Sequence, residues 1–162
     1  MTATTSRSIF VALDESTHAT SAFNFVLDNI AREGEHVTAV VVIDNASERD
    51  ETLEKTKTLI RAIADPDHLN VKFSVQILVA NGQKVGPLLC QLVDEQKPAM
   101  LVLGSAGKSH IEGMLIGSVS NYAIANANVP VIVARLTPAD EARAQKNASR
   151  SSAIGNNHAM WV

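Results

Sequence analysis

The reading of the chain turns on Leu103–Val133, LGSAGKSHIEGMLIGSVSNYAIANANVPVIV. An apolar run ends at Gly104. A polar, glycine-bearing segment follows, from Gly104-Ser105-Ala106-Gly107 to Gly117-Ser118. Then comes a helical stretch, Ser118–Asn126, and a β-branched run that closes at Val133. A strand that feeds a helix through glycines is a local anion site in waiting. Glycine permits positive φ and close approach to the main chain. The first N–H groups of a helix have no partner within it and carry partial positive charge. On that ground the free N–H groups at the start of the Ser118 helix are expected to hold phosphate, with the hydroxyls of Ser118 and Ser120 adding hydrogen bonds to its oxygens. The ordinary alternative is that these glycines serve only turns and a helix start.

The same alternation runs outward from this stretch. Ser8–Leu13 (SIFVAL) reads as a buried strand closed by Asp14, with Ser16 or Thr17 capping the helix carried by Ala19, Ala22, Phe23, Val26, Leu27 and Ile30. Gly34 is expected just past that helix. His36–Ile43 is a second strand, continuously apolar from Ala39 and so covered on both faces. Residues 48–64 form a second helix, stopped by Asp65-Pro66-Asp67. Val71–Val79 is a third strand nearer an edge, and Gly82 begins a turn. Val85, Leu88, Leu89, Leu92 and Val93 give the apolar side of a third helix that ends before Pro98. Met100–Leu103 is the fourth strand and Val129–Ala134 the fifth, with Pro130 at its start. Strands alternating with helices imply an α/β three-layer sandwich on a parallel sheet. The expected division is a flexible start over 1–7, one domain over 8–136, and a mobile tail over 137–162. That tail contains a short charged helix, Pro138–Asn147, and ends in a frayed Trp161.

Composition excludes several functions. The chain has 162 residues, one cysteine and a net charge of −3, with no basic stripe, so neither nucleic acid nor an anionic membrane is the expected partner. No apolar run is long enough to span a bilayer and the first residues lack an apolar signal core, which makes the cytoplasm the expected location. Gly107-Lys108-Ser109 is not a P-loop, because the glycine that motif needs five positions earlier is Val102. Lys108 stands for a phosphate contact or for a solvated lysine. The five histidines lack metal-ligand spacing; His110 alone falls in the glycine segment. Cys90 sits between apolar helix residues as a packed thiol. No nucleophile–base pair is evident, and no catalytic residue is assigned.

The pattern G-x2-G-x9-G-S followed by V-P-V-I-V resembles the nucleotide motif of the universal stress protein family. The resemblance extends to Val11-Ala12-Leu13-Asp14 and Val41-Val42-Ile43-Asp44, and covers residues 8 to 136. It implies a Rossmann-like, five-stranded parallel sheet in the order 3-2-1-4-5. Ligand would lie where the order reverses between strands one and four. It further implies an adenine nucleotide, ATP or AMP, with Mg²⁺ bridging its phosphates, and a homodimer through Val129–Ala134. The main chain at Val42 would meet the adenine edge. Ala12 and Leu13 would line the base pocket, and Asp14 would meet ribose or metal. The main-chain N–H groups of Gly107, Ser118 and Val119, with the hydroxyls of Ser118 and Ser120, would hold the phosphates, and Leu103, Gly104, Ala106, Lys108 and Gly117 would complete the site. Ala106 departs from the longer polar residue common at that place and offers no side-chain contact. The implied role is nucleotide-binding regulation in the stress response. A slow Mg²⁺-dependent ATP hydrolase and a nucleotide-independent, chaperone-like dimer are the alternatives.

Overall fold

The computed structural model describes residues 6–64, 70–106, 116–151 and 160–161. Five strands alternate with helices: β1 Ser8–Leu13, α1 Thr17–Asn29, β2 His36–Ile43, α2 Arg49–Ile63, β3 Lys72–Val79, α3 Val85–Gln96, β4 Met100–Gly104, α4 Ser118–Asn126 and β5 Val131–Ala134. A 3-10 turn, Ala46–Glu48, leads into α2. Past β5 come α5, Pro138–Ser151, and a two-residue strand β6, Met160–Trp161. The sheet order is β5-β4-β1-β2-β3-β6, and every pairing is parallel. The expected order 3-2-1-4-5 is therefore present, with a sixth strand added outside β3. The reversal between β1 and β4 lies at its centre.

Alternation sorts the strand side chains onto two faces. Ile9, Val11, Leu13, Val37, Ala39 and Val41 join Phe23 and Val26 of α1 and Ile60 and Ile63 of α2 in one core. Phe10, Val40, Leu101 and Leu103 join Leu89 and Val93 of α3 and Ala123 of α4 in the other. The aliphatic runs of β1, β2 and β4 read as continuous because these strands are buried on both faces. Cys90 is buried in the second core, where burial, and then Asp94, raise its pKa and keep the thiol protonated.

Helix ends follow local chemistry, with one revision. Ser16 caps α1, its hydroxyl accepting from the Ala19 N–H at 3.2 Å. Gly34 does not end that helix: α1 stops at Asn29 with Ile30 as its cap, and Gly34, at φ +80°, serves the later turn before β2. Asn81 and Gly82 both take positive φ in a tight turn closed by the Gln83 N–H on the Ala80 carbonyl, 2.8 Å. The fifth strand begins at Val131 rather than Val129, since Pro130 lies before the ladder and contributes only its carbonyl, to the Leu101 N–H at 2.9 Å. The stop residues 65–67 fall outside the described residues. Beyond β5, α5 is longer than the charged stretch implied and packs on α1 and α2. Trp161 lies in a strand rather than a frayed end.

Two measurements probe this frame. A Cβ on Gly104 would lie 2.7 Å from the His18 carbonyl carbon and oxygen and 3.0 Å from the Ala19 nitrogen, so β4 and the first turn of α1 touch only because residue 104 is glycine. Gly104→Ala is expected to lower stability by ~1–3 kcal/mol in urea unfolding; an unchanged midpoint contradicts that contact. His36 is the second probe. Its Nε2 lies 3.0 Å from the Ser74 hydroxyl, and burial, then Lys72, hold its pKa below the ordinary value. The unfolded chain therefore takes up this proton more readily than the native one, so stability is full above about pH 6.5 and falls as pH drops below it. Replacing the ring by His36→Gln should flatten the decline in unfolding midpoint between about pH 7 and 5 relative to wild type.

Candidate nucleotide site

The carboxyl ends of β1 and β4 lie side by side at the reversal, with β2 next to β1. Ala12 and Val42 are half-buried on the α3/α4 face, and both pack against the second core. Val119, in the first turn of α4, packs against the same cluster. These three residues leave an apolar surface at the strand ends. Leu13 does not share it. Its side chain is 5 % exposed and belongs to the α1/α2 core, because a one-residue step along a strand reverses the face. Leu103 is likewise buried, within the second core. Neither side chain can line a pocket.

Asp14 follows β1 directly. Its Oδ1 accepts the Ser16 N–H at 2.9 Å and also meets the Ser16 hydroxyl. It thus shapes the turn that lets Ser16 cap α1, the ordinary role of an Asp between strand and helix. Asp44, the corresponding residue after β2, is exposed to solvent.

The end of β4 and the start of α4 are fastened by three hydrogen bonds. The Ser105 N–H donates to the Ala134 carbonyl at 2.9 Å, continuing the ladder to β5. The Ser105 carbonyl accepts the Gly117 N–H at 2.7 Å. The Ser120 hydroxyl, in a residue 3 % exposed, donates to the Gly104 carbonyl at 2.9 Å. That last bond corrects the expectation for Ser120. A hydroxyl has one proton, and this one is committed to the main chain. Ser120 positions α4 rather than meeting a ligand. Gly117 also acts otherwise than expected. It is the N-cap of α4 at φ −71°, ψ 163°, an extended conformation open to any residue, and having no side chain it caps nothing. Gly104 is required by the approach of α1, not by positive φ.

What remains at this end is the N-terminus of a nine-residue helix with no side-chain cap among the described residues and with Ser118 exposed. Its first N–H groups and the Ser118 hydroxyl make a donor cluster suited to an anion. Ala106 is 8 % exposed and packed. Gly107, Lys108 and His110 lie outside the described residues. Among the described residues no group of three His, Cys, Asp or Glu side chains converges as a metal site, and no helix is long and apolar enough to cross a membrane.

Sequence reasoning passed over two residues that build this corner. Ser105 carries both main-chain bonds that close it, and its only signal was its place directly after Gly104. Gly86, in the first turn of α3, allows close packing on α4, where a Cβ would stand 2.9 Å from Cβ and Cγ of Tyr122.

Comparison with known proteins agrees with the fold. The model of the universal stress protein family matches residues 5–135. An uncharacterized protein of Schizosaccharomyces pombe is 31 % identical over 138 residues, 78 % of this chain; the chain spans 23 % of that protein's length. Among solved structures, the universal stress protein UspA from Lactobacillus plantarum aligns with a TM-score of 0.65 at 19 % identity, covering 80 % of this chain and 97 % of the other. The universal stress protein from Archaeoglobus fulgidus in complex with dAMP aligns with a TM-score of 0.57 at 23 % identity, covering 78 % and 96 %. With the strand order, the matched span and the glycine-bearing β4–α4 junction all in agreement, the chain belongs to the universal stress protein family.

Proposed function

We propose that this protein binds an adenine nucleotide at the β1/β4 reversal and acts through that binding as a regulator in a stress response. The observation that carries the reading is the N-terminus of α4, which no side chain caps among the described residues, held beside the end of β4 by the Ser105–Gly117 and Ser120–Gly104 bonds. The phosphates would sit against the Ser118 and Val119 N–H groups and the Ser118 hydroxyl, with Gly107 and Lys108 as further contacts. The base would lie against Ala12 and Val42, its edge on the Val42 main chain, and Asp14 would approach the ribose or a phosphate-bound Mg²⁺. The dAMP held by the Archaeoglobus fulgidus relative supports an adenine ligand. Such a ligand regulates only by binding two states of the protein unequally.

The second element of the proposal is a homodimer through β5. Ser105 and Leu101 bond to the Ala134 and Pro130 carbonyls, so the even-numbered residues of β5 face β4 and Val131 and Val133 turn their main-chain groups outward. A depression of about 400 Å³ beside that edge is lined in part by Phe25, Ile132 and Val133, and Phe25 is an exposed apolar residue. An open strand edge with apolar flanks is suited to a second strand.

Calorimetric titration with AMP, ADP and ATP tests the site. Ser118→Ala is expected to weaken binding roughly 10-fold or more, the loss of one bond to a charged group. Ser120→Ala should instead lower stability by ~1–3 kcal/mol, because it leaves the Gly104 carbonyl unpaired. Gly117→Val, which the extended backbone there accommodates, should obstruct the cradle; heats equal to wild type remove the loop from the proposal.

A further inference from the structure

α4 is the less firmly seated of the two helices on its face of the sheet. Of its nine residues only Ser120 and Ala123 are buried. α3, beside it, buries Gly86, Leu89, Cys90, Leu92 and Val93, and the last four belong to the second core. Among the described residues the start of α4 is tied to β4 by two hydrogen bonds. The Gly117 N–H donates to the Ser105 carbonyl at 2.7 Å, and the Ser120 hydroxyl to the Gly104 carbonyl at 2.9 Å. The flank of α4 packs on α3. On that flank stands Gly86, in the first turn of α3. A Cβ there would lie 2.9 Å from both Cβ and Cγ of Tyr122 and 3.0 Å from its Cδ1.

We infer that Gly86 is a positioning residue for the proposed phosphate cradle: its missing side chain lets α4 sit close enough to α3 for both bonds at the helix start to form. The Cβ of Tyr122 is carried by the helix main chain, and no rotamer moves it. Bulk at position 86 is therefore relieved only by a main-chain shift. α3, with four side chains in the core, resists that shift. α4, which buries one hydroxyl and one methyl side chain, gives way. A helix this short moves as a unit, and Tyr122 stands about one turn from Ser118. Pushing it outward draws Gly117 away from Ser105 and Ser120 away from Gly104. The Ser118 and Val119 N–H groups move with them. The spacing of α3 and α4 thus aims the donors from a residue that lies outside the donor cluster.

The ligand is the adenine nucleotide proposed above, whereas the placement of α4 is measured without it. Residue-resolved hydrogen exchange reads the Gly117 amide, and calorimetric titration with AMP reads the cradle. Gly86→Ala is expected to speed Gly117 exchange on the order of tenfold and to weaken AMP binding roughly tenfold, about one hydrogen bond in each case. Because the Tyr122 Cβ itself stands at 2.9 Å, only Tyr122→Gly clears the contact. In a Tyr122→Gly background the same change at position 86 should alter neither readout by more than about twofold. Ile60→Val, which loosens the core on the other face, should leave both near wild type. Unchanged Gly117 exchange in Gly86→Ala overturns the inference. So does an effect of equal size in both backgrounds, unchanged AMP affinity beside altered exchange, or an Ile60→Val effect that matches it. A wild-type chain that binds no AMP refutes the nucleotide reading alone, and the exchange rates in the two backgrounds then decide whether Gly86 places α4.

Discussion

The hydrogen bond from the buried Ser120 hydroxyl to the Gly104 carbonyl organises this molecule more than any other single contact. It joins the last residue of β4 to the first turn of α4, sixteen residues later, and so fixes where the helix begins relative to the sheet. Gly104 is held on two sides at once. Its carbonyl receives Ser120, and its bare Cα lies against the main chain of His18 and Ala19. The first turns of α1 and α4 therefore converge on one residue, on opposite faces of the sheet. Each helix arrives with its N-terminal end toward the strand ends, the arrangement that places partial positive charge at the reversal. The corner where β1, β4 and α4 meet is thus set by elements whose cores are aliphatic and closely packed.

The chemistry of the site is correspondingly spare. Among the described residues α4 has no side-chain cap, and Ser118 is the exposed hydroxyl of its first turn. Main-chain donors do not titrate, so they add no pH dependence of their own to whatever meets them.

Much of this was legible in the chain itself, for physical reasons that differ by element. β2 announces itself because a strand buried on both faces must be apolar at every step, and HVTAVVVI is nearly so. α1 and α3 show their periodicity because each covers a core with one side only. The glycine-bearing junction was readable as a place, but not as a set of roles. No spacing reveals that a Cβ at 104 would strike α1, that the Ser120 proton is spent on a carbonyl, or that Leu13 packs in the α1/α2 core while Ala12 lies on the α3/α4 face. Those depend on partners distant in sequence. β6 was illegible for another reason. Two residues carry no period, and their pairing is set by the edge they meet rather than by their own propensity.

The bond from the Gly117 N–H to the Ser105 carbonyl has a consequence for how such a protein diversifies. It joins the two ends of the intervening segment, so the fold already holds them together whatever the segment contains. Closing a loop costs only about 0.6 kcal/mol more for each doubling of its length. Insertions and replacements there can accordingly be sampled in evolution at small thermodynamic expense while the folded scaffold stays the same.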